Sequence, residues 1–228
     1  MKSAERPEAV VILPMRKGGS AGYDLAVLDA DATVADYLAA LEAALRLLPL
    51  TRTRKPAALP AGRGCNGCTA CCAERIPLTS VDYRQLARVT SLDLLPQVAD
   101  VSRAGPSVDI VLKRTPAGRC IFLNPETGLC RVYHARPFVC RTFICCPVSR
   151  RADELRGAVT NAGEDELARL WLAGGSVPAG VDPADFRSGA FTGRWGYREI
   201  RLRECVPSSL WRRLYQATRG KPPRRGGR

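Results

Sequence analysis

Ten cysteines are spread over 228 residues, and eight of them fall into two blocks: Cys65, Cys68, Cys71 and Cys72, then Cys120, Cys130, Cys140 and Cys145. A chain of this length buries an ordinary core without disulfides. Thiols grouped in fours therefore point to metal ligation before covalent staples. The N-terminus carries Glu5 and Glu8 and a five-residue apolar run, Ala9 to Leu13, too short for the core of a secretory signal. No other stretch has the apolar length to span a bilayer. The expectation is a soluble, cytoplasmic chain with no membrane partner and with its thiols kept reduced.

Cys65-Asn-Gly-Cys68 is a CxxC knuckle whose Asn-Gly centre readily takes positive φ, letting the chain turn back so that both sulfurs face one point. Thr69-Ala70 repeats the spacing to Cys71, giving three thiols in the CxxCxxC order of iron–sulfur ferredoxins. Cys72 is different. Adjacent side chains diverge by about 100° on a helix and about 180° on a strand, so Cys71 and Cys72 do not easily chelate one small ion. Two sites, or one larger cluster, would use both. The second block has no local knuckle, so Cys120, Cys130, Cys140 and Cys145 must be gathered by tertiary folding, making metal binding and folding one event. His134, the only histidine, lies between Cys130 and Cys140; a supporting hydrogen bond suits it better than ligation.

Four thiolates around Zn²⁺ or a [4Fe-4S]²⁺ core leave a net charge of about −2. Arg119, Arg131, Arg136 and Arg141 stand close by in sequence to offset it, opposed by Glu126. The overall charge of +13 lies elsewhere: residues 201–228 carry a net +8 and residues 51–64 a further +4.

The organisation expected is α+β. Val10 to Leu13 and Tyr23 to Leu28 read as strands about a glycine-rich turn, and a helix starts near Thr33, capped by Thr33 with Asp36 and stopped by Pro49. Residues 1–50 form this strand-helix unit, 51–64 a basic linker, 65–218 the cysteine-cluster domain and 219–228 a disordered basic tail. Within the cysteine domain, a helix runs from about Thr79 to Val89, capped by Thr79 with Asp82. Val108 to Leu112 is expected to pair with Cys120 to Leu123, and Asn124 to Gly128 makes a turn into Cys130. Glu164 to Leu172 reads as a short helix closed by Gly174. A last helix starts at Ser208 or Ser209 with Leu210, Trp211, Leu214 and Tyr215 on one face.

The motif Cys65-x2-Cys68-x2-Cys71-Cys72, then Gly118-Arg-Cys120-Ile-Phe-Leu, Cys130-Arg-Val-Tyr133 and Arg136-Pro137-x2-Cys140-Arg141-x-Phe143-x-Cys145, resembles the CxxCxxCC-type domain of the YkgJ-like cysteine-cluster proteins. The resemblance covers roughly residues 65 to 146. It implies an iron–sulfur cluster or a zinc or iron ion on the matching cysteines, with Cys145 or Cys146 as the last ligand, because Ile144 stands where the family's proline is expected. A similar cluster accompanies flagellin lysine methylation in some bacteria, which leaves open an enzyme acting on protein side chains and an unidentified protein partner. No triad, carboxylate pair or dinucleotide loop names a catalytic residue. The primary reading is a metal-binding protein serving redox chemistry or an associated modification. The alternative is a zinc-stabilised, non-catalytic adaptor that binds nucleic acid through the linker and tail, disfavoured because charge runs are usually solvated.

Overall fold

The computed structural model describes residues 8–48, 50, 68–90, 95–104, 107–175, 182–186 and 189–216. Its first element is an antiparallel hairpin, β1 (Val10–Lys17) with β2 (Ser20–Val27), in register from Val10 opposite Val27 to Lys17 opposite Ser20. The strands run longer than the apolar pattern suggests. A two-residue Gly18-Gly19 turn with φ of 55° and 78° lets them pair up to the loop, because glycine takes these angles without a steric penalty. Tyr23, Leu25 and Val27 alternate onto the buried face of β2.

Helix α1 (Val34–Leu47) begins where the sequence predicts. The Thr33 hydroxyl accepts the Asp36 N–H and the Asp36 carboxylate accepts the Thr33 N–H, satisfying two donors that the first helical turn leaves open. Val34, Tyr37, Leu38 and Leu41 form its buried stripe. Pro49, the linker 51–64 and the tail 219–228 lie outside the described residues.

After the first cysteine block, α2 (Ser80–Thr90) starts from a second reciprocal cap between Thr79 and Asp82, and α3 (Leu95–Val98) leads into β3 (Ala99–Ala104). Here one expectation fails. The strand β4 (Ser107–Leu112) pairs with β3, from Ala99 opposite Leu112 to Ala104 opposite Ser107. Cys120 to Leu123 forms no strand; it has isolated bridges, Arg114 with Cys120 and Leu123 with Cys130, and one bond from the Ile121 N–H to the Lys113 carbonyl just beyond β4. A tight connection between β3 and β4 wins because it closes a far shorter loop.

Helix α4 (Phe138–Thr142) is a turn and a half, and α5 (Arg150–Ala173) has 24 residues. The expected helix from Glu164 is only its C-terminal part. The true start is Ser149, whose hydroxyl accepts the Ala152 N–H, and Gly174 caps the far end as expected. Helix α6 (Leu202–Cys205) and helix α7 (Ser208–Leu214) close the described chain, with Leu210 and Leu214 buried and Trp211 stacked on Tyr215. The architecture is α+β, with helices and two small antiparallel sheets.

Two apolar clusters organise these elements. The first joins β2, α1, Phe138, Ile144 and the N-terminal half of α5 through Ala152, Leu155 and Val159 to Tyr197, Ile200, Leu202, Leu210 and Leu214. The second holds Ile76, Leu78, Leu86, Ile110, Leu112, Phe122 and Val132, with Leu167, Ala168 and Leu172 from the C-terminal half of α5. Both halves of α5 are thus buried, in different cores. The open edge of β2 is covered: the Tyr23 N–H donates to the Pro147 carbonyl, the Ser149 N–H to the Tyr23 carbonyl and the Gln216 N–H to the Val27 carbonyl.

Candidate metal centre

Cys71 and Cys72 sit on a single 3-10 turn, Ala70–Ala73, closed by the Cys72 N–H on the Thr69 carbonyl and the Glu74 N–H on the Cys71 carbonyl. The second block meets the first directly, because the Cys120 N–H donates to the Cys72 carbonyl at 2.7 Å. Cys120 is delivered by the Thr115–Gly118 turn, in which the Gly118 N–H donates to the Thr115 carbonyl and Gly118 has a φ of 73°. Cys130 follows the Asn124–Gly128 turn, which closes from the Gly128 N–H to the Asn124 carbonyl with Gly128 at 66°. The Arg131 N–H then donates to the Phe122 carbonyl and holds the two cysteine loops side by side.

Cys140 arrives on α4, and its placement depends on a helix-capping residue, Asp82, 56 positions before the Phe138 that opens α4. One oxygen of the buried Asp82 carboxylate accepts the Phe138 N–H at 2.8 Å and the Tyr197 hydroxyl at 2.6 Å, while the other accepts the Thr79 N–H at 3.0 Å. Burial outweighs these donors and pushes the Asp82 carboxyl above its ordinary range. The Thr79-x-x-Asp82 capping signal is legible in the sequence, but nothing in the sequence says that the same carboxylate also anchors α4.

These loops enclose a cavity of about 50 Å³ lined by Cys68, Cys71, Cys72, Cys120, Cys130 and Cys140. Ile76, Leu112, Phe122 and Val132 give it apolar walls, and Tyr133 and Arg136 complete it on the α4 side. Organic ligands occupy sites of about 300 Å³ and more, so this space suits an inorganic centre. Cys71 and Cys72, adjacent on the 3-10 turn, are both among the lining residues. Cys65 lies outside the described residues. Cys145, Cys146 and His134 are not part of the lining; Cys146 packs on the first core, and His134 stands exposed with its ring edge-on to Tyr133.

The thiols are not drawn together as ligands. Among the described residues, no three of the His, Cys, Asp and Glu side chains are grouped so that they could hold an ion. Four of them, Cys71, Cys120, Cys130 and Cys140, are pushed toward the protonated form. The hydrogen bond from Cys71 to Cys72, followed by burial, pushes the Cys71 thiol far up, and the same bond holds Cys72 below its usual value. The Cys120 sulfur accepts the Phe122 N–H at 3.4 Å, yet burial raises Cys120, as it does Cys130 and, most strongly, Cys140. A metal entering this cavity must displace those protons and turn the side chains toward itself. The donor set fits a thiophilic centre: soft sulfur ligands, apolar walls and, among the described residues, no carboxylate or imidazole in the lining.

Residues 64–161 match the family model described as "CxxCxxCC: Putative zinc- or iron-chelating domain". The match takes in both cysteine blocks, all of α4 and the first half of α5, and it supports metal binding by this segment. No curated protein and no solved structure matches the chain.

Proposed function

We propose that the cysteine-lined cavity is a metal centre, ligated from among Cys68, Cys71, Cys72, Cys120, Cys130 and Cys140 together with Cys65 on the strength of its CxxC spacing, and that its occupant is an iron–sulfur cluster in preference to a zinc or iron ion. The observation that carries this reading is that six cysteines from four separate segments of the chain line one small apolar space. A structural zinc ion closes its shell with four ligands. Six thiols exceed that need and suit a polynuclear centre or two adjacent ions. Cys145 is retained only as an outer candidate, since it is absent from the lining.

A bound iron–sulfur cluster would supply one-electron chemistry, so the function proposed is redox service, alone or for an associated modification reaction. The chain's own contribution is to hold the thiols against apolar walls with the Arg136 cation beside them. Anaerobically purified protein is expected to contain iron and acid-labile sulfide and to absorb broadly near 400 nm. Cys72→Ser and Cys140→Ser should each lower metal content and soluble yield, whereas Cys205→Ser, remote on the first core, should leave metal content unchanged. Colourless protein holding stoichiometric zinc would decide for zinc, and protein holding neither metal would overturn the reading.

No observation favours the nucleic-acid adaptor. In the described part of the C-terminal basic segment, Arg201 and Arg203 pair with Asp31 and Arg213 with Glu154, while Trp211 is stacked on Tyr215 at 5.3 Å between ring centroids.

A further inference from the structure

Four arginines stand near the cysteines in sequence, but the fold gives them different places. Arg119 donates to the Thr69 carbonyl and Arg131 to the Ile121 carbonyl, both exposed, and Arg141 pairs with Glu42 at 3.6 Å. Of the four, Arg136 alone lines the cavity. Its Nε donates to the Tyr133 carbonyl at 3.2 Å and one Nη to the Cys140 carbonyl at 3.5 Å, and the guanidinium lies over the Tyr133 ring, 4.0 Å from the centroid. These contacts fix the planar group against the cavity wall. No carboxylate lies within ion-pair reach of it among the described residues, and the second Nη has no hydrogen-bond partner there. A half-buried cation with no counter-ion among the described residues, fixed at the wall of a cavity lined by six cysteines, is poised to meet the negative charge that metal binding develops on their sulfurs.

We propose that Arg136 is the charge-compensating residue of this metal centre, presenting its free Nη donors and its positive charge to the thiolate sulfurs. The proposal rests on the metal-centre reading above. Arg136 lines the same cavity as Cys71, Cys130 and Cys140, which reach it from three different segments of the chain. Pro137 fixes the approach: Arg136, at φ −58° and ψ 140°, takes the extended conformation a residue before proline favours, which aims its side chain back along the loop while α4 begins beyond it.

The test uses the full chain loaded with Zn²⁺, with metal affinity read by competition against a chromophoric chelator and the metal-free proteins unfolded in urea. Arg136→Gln is expected to weaken zinc binding by about ten- to a hundredfold, the range for groups that support metal ligands. Arg136→Lys should recover part of that loss, and Arg131→Gln should bind as wild type does. The urea midpoint of metal-free R136Q should stay near wild type, which separates charge compensation from mere support of the loop. Undiminished zinc binding by R136Q, or R136K as weak as R136Q, would overturn the proposal alone. Wild-type protein that holds no zinc and forms no chromophore with ferrous iron and sulfide would overturn the metal-centre reading and this proposal together.

Discussion

Asp82, outside the cavity, ties together three segments that frame the site. Its carboxylate receives two backbone N–H groups and the Tyr197 hydroxyl, joining the start of α2, the start of α4 and the 3-10 turn Tyr197–Glu199. It lies fully buried, so water cannot replace it as acceptor. Asp82→Ala strands these donors, and the expected cost is about 2–4 kcal/mol in urea unfolding, because a buried donor left unpaired forfeits its full desolvation energy. Asp82→Asn keeps one carbonyl oxygen for Phe138 and Tyr197 and should lose about half as much. A loss below ~1 kcal/mol for D82A would show that α4 is held by its apolar contacts alone.

Among the elements, α5 is the one whose packing is most sharply tested by substitution, because two of its glycines face opposite circumstances. A Cβ on Gly157 would meet nothing within 4 Å, whereas one on Gly163 would collide with Thr79 and lie 2.9 Å from the Phe191 ring. Gly157→Ala should raise stability by about 0.5–1 kcal/mol through helix propensity. Gly163→Ala gains the same propensity but wedges α5 from the α2 cap, for a net loss of about 1–3 kcal/mol. Thermal melts of the two variants moving in the same direction would contradict this packing. At the other end of α5, Arg151 grips Asp24 of β2 at 2.6 and 2.8 Å, with Ser149 and the Leu25 N–H also donating. Burial alone would raise Asp24, but these donors outweigh it and hold the carboxyl below its ordinary value of 3.8. A depressed carboxyl stabilises the fold above that value and loses its contribution as pH falls through the lower folded value. Asp24→Asn should therefore flatten acid unfolding below about pH 4 while leaving the neutral protein less stable by ~1–2 kcal/mol. These elements also mark where sequence reasoning stops. The caps at Thr33 and Thr79 and the Gly174 stop are local, and local chemistry reads directly. The true start of α5 was hidden because Arg150, Arg151, Asp153 and Glu154 dilute the apolar stripe and the two glycines argue against a helix. The pairing of β4 with β3 was missed because Ala99–Ala104 (ADVSRA) has little strand character of its own, its order coming from Val98, Ala99 and Ile110 in the second core. The two cysteine blocks, by contrast, were legible as chemistry before any fold was known, since metal ligation leaves its mark in residue type and spacing. Which of the cysteines share a cavity was not, because Cys140 and Cys145 differ only in how the chain turns after α4.

For the whole molecule, the two cores make different demands on a metal. The first core binds hairpin, α1 and the C-terminal helices through aromatic and aliphatic packing, with Cys146 and Cys205 as ordinary small apolar members; burial drives the Cys205 thiol up to about 12. The second core carries the cavity on its surface, and Cys120, Cys130 and Cys140 pack against it. The loops between Leu112 and Phe138 contain no strand or α-helix and rest on isolated bridges, short turns and the burial of Phe122 and Val132, so a centre tying their thiols together would add most of its stabilisation there. Removing metal with a chelator should accordingly raise amide hydrogen exchange first across residues 115–140, then in β3 and β4, while β1, β2 and α1 keep their protection. Because α5 enters both cores, its exchange should divide near Gly163, slow on the side of Leu155 and Val159 and faster on the side of Leu167 and Leu172. Uniform loss of protection over both halves would mean that the cores unfold as one cooperative unit, and no change anywhere would mean that the cysteine loops stand without a metal.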